Sequence, residues 1–134
     1  METRAPSRSV ATPREAAEVF TSILGNEAVE VFGILCLSTK RHLIAYHQIS
    51  RGLLSQTLAG PREIFQVALL ANASGIVLGH NHPSGDPSPS PDDLILTERL
   101  VKAGKLMGID VMDHIIVGHE GRYFSFKELG KIVP

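Results

Sequence analysis

Four prolines, Pro83, Pro87, Pro89 and Pro91, fall within nine residues, directly after the segment His80-Asn81-His82. Each proline holds φ at about −65° and withholds a backbone donor. Such a stretch cannot be a helix interior or a central strand, so it is a stiff loop. Its flanks are then constrained. Upstream, residues 75–79 are a short unbroken apolar run, the pattern of a strand buried on both faces. Downstream, Ser90-Pro91-Asp92-Asp93 has the form of a helix start, followed by Leu94, Leu96, Leu100, Val101 and Leu106 at core-facing positions up to Gly108. A buried strand, a rigid loop and a helix make a unit of an α/β fold. Residues 80–93 therefore lie just past the end of a central strand, where such sheets place ligand sites.

The remaining segments fit around that unit. Thr12-Pro13-Arg14-Glu15 reads as a capping box opening a first helix, with Ala16, Val19, Phe20 and Ile23 at helical spacing up to Gly25. Residues 29–37 and 43–50 are β-rich and read as an antiparallel hairpin across Ser38-Thr39-Lys40-Arg41. Gly60-Pro61-Arg62-Glu63 opens a second helix running to about Asn72. Residues 109–118 and 122–125 read as strands, and Ser125 with Glu128 predicts a cap for a short last helix. The order αββαβαββα implies a mixed sheet with helices on its faces, an α/β fold. Residues 1–11 mix Pro, Ser, Arg and Thr without periodicity and are expected to be a flexible arm, leaving residues 12–134 as one domain.

Composition removes several function classes. Cys36 is the single cysteine, so internal disulfides, Cys-rich zinc fingers and the PCxxC zinc site of nucleoside deaminases are excluded. Thirteen Lys plus Arg against fourteen Asp plus Glu give a net charge of −1, so this chain alone is not expected to bind nucleic acid. No apolar run approaches the roughly 18 residues of a membrane span, and no hydrophobic leader opens the chain; a cytoplasmic protein without membrane partners is the expectation. Nothing in the sequence specifies an oligomeric state.

Alternation along a strand sends His80 and His82 to the same side, with Cα atoms roughly 6.5–7 Å apart, so two imidazoles can converge on one ion. An HxH pair also arises by chance about once in four chains with this histidine content, so context decides. The helix after the loop offers Asp93 as a third donor. An acid at that position can equally be the capping-box partner of Ser90.

The string HNHPSGDPSPSPDD resembles the signature of the RadC (UPF0758) family. Its subset His-x-His, seven residues, Ser-x-x-Asp is similar to the motif of JAMM (MPN-plus) metalloproteases, matched by His80, His82, Ser90 and Asp93. The likeness continues through Val31-Phe32, Leu43-Ile44, Arg51-Gly52, Pro61-Arg62-Glu63 and Asp113-His114-Ile115-Ile116, covering roughly residues 30–130. The resemblance implies a three-layer mixed β-sheet flanked by helices, the JAMM domain, similar to the cytidine deaminase fold. It implies Zn2+ held by His80, His82 and Asp93, with Ser90 stabilising an oxyanion and a glutamate on an earlier strand as general base. That glutamate corresponds to Glu30. Parity places Glu30 on one face with Phe32, Ile34 and Cys36, although a solvated strand start is an equally simple place for it. Glu27 is the understudy, and Glu63 reads as a helix N-terminal charge.

The activity so implied is hydrolysis of a peptide or isopeptide bond in a protein or peptide substrate. The alternative is a metal-binding accessory module in DNA repair or mobile-element function, without turnover. Longer RadC proteins carry an N-terminal helix-hairpin-helix DNA-binding region, which this chain is too short to include. His114 reads as a core or supporting group, His42, His47 and His119 need no special reading, and Cys36 reads as an inert buried thiol.

Overall fold

The computed structural model describes residues 8–52 and 60–132. Thr12 caps α1 (Pro13–Leu24): its hydroxyl accepts from the Glu15 backbone, and the Glu15 carboxylate returns the bond to the Thr12 N–H. β1 (Val31–Leu37) and β2 (Leu43–Arg51) form the expected antiparallel hairpin. α2 (Pro61–Leu70) ends just before Asn72, which takes a left-handed φ of 55° and stops the helix. β3 (Gly75–Asn81), α3 (Pro91–Met107) and β4 (Asp110–Val117) make a strand–helix–strand crossover, and β5 (Tyr123–Ser125) pairs back on β4.

The five strands lie in the order β2-β1-β3-β4-β5. β1 is antiparallel to both its neighbours, whereas β3 and β4 are parallel, so the sheet is mixed. β1 and β3, at the centre, are buried at every position, which is why their sequences are apolar without alternation. On one face α1 packs Ala16, Ala17, Val19 and Phe20 against Val31, Leu35, Val77 and Ile115. On the other, α2 and α3 bring Ile64, Phe65, Ala68 and Leu100 against Phe32, Ile34, Cys36, Ile76 and Leu78. The three-layer α/β arrangement expected from the sequence is the one observed. Gly79 is required on the α1 face, because a Cβ there would sit 2.3 Å from the ring of Phe20.

Two local expectations need correction. Residues 8–10, assigned to a flexible arm, pair with residues 41–43 where the chain enters β2: the Leu43 N–H donates to Arg8 O, the Val10 N–H donates to Arg41 O, both at 2.8 Å, and Val10 is buried with α1. Residues 1–7 fall outside the described residues. Among the described residues no helix follows Ser125. The Ser125 hydroxyl does accept from the Glu128 N–H at 3.0 Å, but Asp113 takes both the Ser125 hydroxyl and the Lys127 N–H, and Gly130 turns at φ 73°. The segment is held as a turn by long-range anchoring before one helical turn can propagate. No helix among the described residues is long and apolar enough to cross a membrane.

Candidate metal centre

The register of β1 with β3 ends at the pair Phe32 and His80. Because Phe32, Ile34, Ile76 and Leu78 all belong to the α2/α3 face, strand alternation sends His80 to that face, where it is only 1% exposed. His82 lies one residue past β3 but still follows its line, its N–H donating to Val117 O at 2.9 Å. The two rings meet with their Nε2 atoms 3.1 Å apart.

The proline loop fixes the second histidine from behind. His82 Nδ1 lies 2.9 Å from Asp86 O, and a carbonyl only accepts, so the proton sits on Nδ1 and Nε2 is left as a lone pair. The loop is clamped by Gly85 O, which accepts from the His119 N–H and from Arg122 Nη2, each at 3.1 Å. Gly85 has φ 94° and presses against the His119 ring, so no side chain fits there.

The loop then delivers the start of α3. Ser90 is its N-cap: Ser90 Oγ accepts from the Asp93 N–H at 3.1 Å, and Asp93 Oδ2 accepts from the Ser90 N–H at 2.8 Å. The same carboxylate faces the histidines, with Oδ1 3.4 Å from His80 Nε2 and Oδ2 3.5 Å from His82 Nε2. The Asp93 carboxylate thus completes the capping box while also facing the two histidines.

Glu30 precedes β1 on the face its parity predicts, with Oε1 3.8 Å from His82 Nε2. One donor atom each from Glu30, His80 and His82 fall within 4.8 Å of one another. Glu27 is engaged elsewhere, in a two-pronged ion pair with Arg51 that holds its carboxyl below the usual range. Glu63 stays in the first turn of α2.

Imidazole nitrogens and carboxylate oxygens gathered in this way are a donor set suited to a metal ion. Ligands about 2.1 Å from a tetrahedral zinc stand about 3.3–3.5 Å from one another. The two imidazole nitrogens stand 3.1 Å apart, a little inside that edge, while one Asp93 oxygen lies 3.4 Å from His80 and the other 3.5 Å from His82. The electrostatics agree. Burial pushes the Asp93 carboxyl up, but the bonds with His80 and His82 outweigh it and hold the group below the ordinary carboxylate range. The bond to Asp93, against the opposing effect of burial, raises the pKa of His82, so the site favours positive charge on that ring.

The family model described as the RadC-like JAB domain matches residues 10–131. The chain belongs to that family. A UPF0758 protein of Methanosarcina barkeri is 43% identical over 125 residues, covering 93% of this chain and 54% of the relative. One from Alkaliphilus metalliredigens is 54% identical over 99 residues, covering 74% of this chain and 42% of the relative, and one from Thermotoga maritima is 45% identical over 103 residues, covering 77% and 46%. The chain thus spans about half the length of the curated relatives it matches.

Two features of this RadC-like domain's centre escaped the sequence reading. Asn81, between the histidines, points to the α1 face, where its Oδ1 accepts from the Val31 N–H at 2.7 Å and its Nδ2 donates to Val29 O at 3.0 Å and Glu27 O at 3.4 Å. It thereby holds the segment that carries Glu30, beyond the end of the β1–β3 ladder. A polar residue on an apolar face needs such partners, and that was the available signal. The second is Thr97, which bonds His114 beneath His80. Burial, reinforced by the neighbouring His80, pushes His114 well below the ordinary imidazole range and keeps it neutral. Among the described residues His42, His47 and His119 stand outside the donor cluster, and burial pushes the Cys36 thiol up to about 11, which leaves it unreactive.

Proposed function

We propose that this domain is a zinc-dependent hydrolase of the JAMM type that cleaves a peptide or isopeptide bond in a protein or peptide substrate. His80, His82 and Asp93 hold the ion, with Glu30 and Ser90 as the catalytic residues. Bound zinc supplies Lewis acidity, which brings the ionisation of water toward neutral pH. The observation that carries the reading is the convergence of two imidazole nitrogens and one carboxylate at 3.1–3.5 Å, with a second, partly exposed carboxylate beside them.

Glu30 stands 3.8 Å from His82, within reach of a water held between the donors, and in this reading it is the base. It takes the proton of the attacking water and returns it to the leaving amine. The cap consumes a lone pair of Ser90 Oγ, and the hydroxyl proton is left to donate to the oxyanion. A scaffold without turnover, in DNA repair or mobile-element function, needs the three ligands but has no use for Glu30. With a net charge of −1, few cations are available for counterion release, which favours a peptide partner over nucleic acid.

The test is a peptide and isopeptide library screened with and without chelator. Chelator-sensitive cleavage is expected, and Glu30→Gln should keep its zinc while slowing cleavage by about 10²- to 10⁴-fold. Equal cleavage by Glu30→Gln removes the base assignment; a zinc-loaded protein that cleaves nothing in the library favours the scaffold.

A further inference from the structure

His114 takes no part in the reaction just described, yet it is fully buried between two aromatic neighbours. Phe126 stacks on it at 4.7 Å, and Phe32 meets it edge-on at 5.9 Å. Both ring nitrogens are engaged: Nε2 lies 2.9 Å from His80 Nδ1, and Nδ1 lies 2.6 Å from Thr97 Oγ1. Thr97 Oγ1 in turn lies 2.7 Å from the backbone oxygen of Asp93, one turn earlier in α3.

The inventory of donors and acceptors fixes the direction of each bond. A carbonyl only accepts, so the one hydroxyl proton of Thr97 goes to Asp93 O. Thr97 Oγ1 must then accept from His114, which places a proton on His114 Nδ1. The neutral ring therefore carries its lone pair on Nε2 and accepts from His80 Nδ1. The remaining nitrogen of His80, Nε2, is left as a lone pair, 3.4 Å from Asp93 Oδ1 and 3.1 Å from His82 Nε2.

We propose that Thr97 and His114 are positioning residues that preset His80 as an Nε2 ligand for a divalent cation and tie its orientation to the helix that carries Asp93. The inference rests on the metal reading above. The chain of bonds runs from one ligand to the backbone of another through the core, so the site is ordered before the ion arrives. His82 reaches the same tautomer through one bond to the proline loop.

The experiment uses Zn2+ alone, with affinity measured by competition against a chromogenic chelator, and long-range 15N–1H correlation spectra of the imidazoles. In the parent protein both His114 and His80 should show the Nδ1–H tautomer. Thr97→Val, nearly isosteric, should weaken zinc binding about 10- to 100-fold with the fold retained, and Thr97→Ser should restore parental affinity. Parental zinc affinity in folded Thr97→Val, or an Nε2–H tautomer at His114 in the parent, overturns the proposal. Should Thr97→Val fail to fold, the parental tautomers decide. His80→Ala separates the two layers: loss of zinc there with none in Thr97→Val refutes the relay alone, whereas retention of zinc in His80→Ala refutes the metal reading beneath it.

Discussion

The two faces of β3 do different work with the same seven residues. Toward α1 it presents Val77, Gly79 and Asn81, and toward α2 and α3 it presents Ile76, Leu78 and His80. Both faces begin as packing and end in polar groups. On the α1 face the polar end is neutral: an amide that replaces missing ladder bonds and holds the Glu30 segment. On the other it is an imidazole that leads into a second imidazole and a threonine. One face places the carboxylate at the edge of the centre, and the other builds the donors at its middle.

The largest expected effect lies on the donor face. His80→Ala and His82→Ala should each abolish stoichiometric zinc in elemental analysis, while His42→Ala and His119→Ala keep it. Asp93→Asn should also lose zinc, yet its side-chain oxygen can still accept from the Ser90 N–H, so the capping box persists and thermal stability changes little. Zinc and stability both unchanged would assign the third ligand elsewhere.

On the α1 face the order reverses. Gly79→Ala forces a methyl into Phe20 and should destabilise by about 1–3 kcal/mol in denaturant unfolding, with zinc content unchanged. Asn81→Ala leaves the Val31 N–H without its partner and should lower stability by about 1–3 kcal/mol. Zinc should stay, and any chelator-sensitive cleavage should fall because Glu30 is no longer held. Zinc loss in Asn81→Ala would mean that the two faces are not separable. The smallest effect is chemical: Cys36, buried with its thiol pushed up to about 11, should not react with an aromatic disulfide at pH 8 until the protein unfolds.

Much of this division was legible because it is local. Alternation places His80 and His82 on one side, four prolines define the loop, and Ser90-x-x-Asp93 marks the helix start, all within fourteen residues. The partners of the supporting groups were not, since they are remote. Asn81 bonds a segment about fifty residues earlier. His114 reaches His80 only because of a bulge: Ile76 pairs with Val111, but Val77 pairs with Asp113, so one extra residue in β4 turns His114, rather than Asp113, onto the donor face. No composition or period in the strand announces that shift. The missing last helix has the same origin, because the Ser125 cap is present but Asp113 redirects the chain after it.

Elemental analysis of the protein, purified without chelator and compared with His80→Ala, decides whether these donors hold a metal. One zinc per chain is expected in the parent and none in the variant, both folded by circular dichroism. A folded parent without metal after incubation in zinc, or a His80→Ala variant that keeps a full equivalent, would rule the metal centre out.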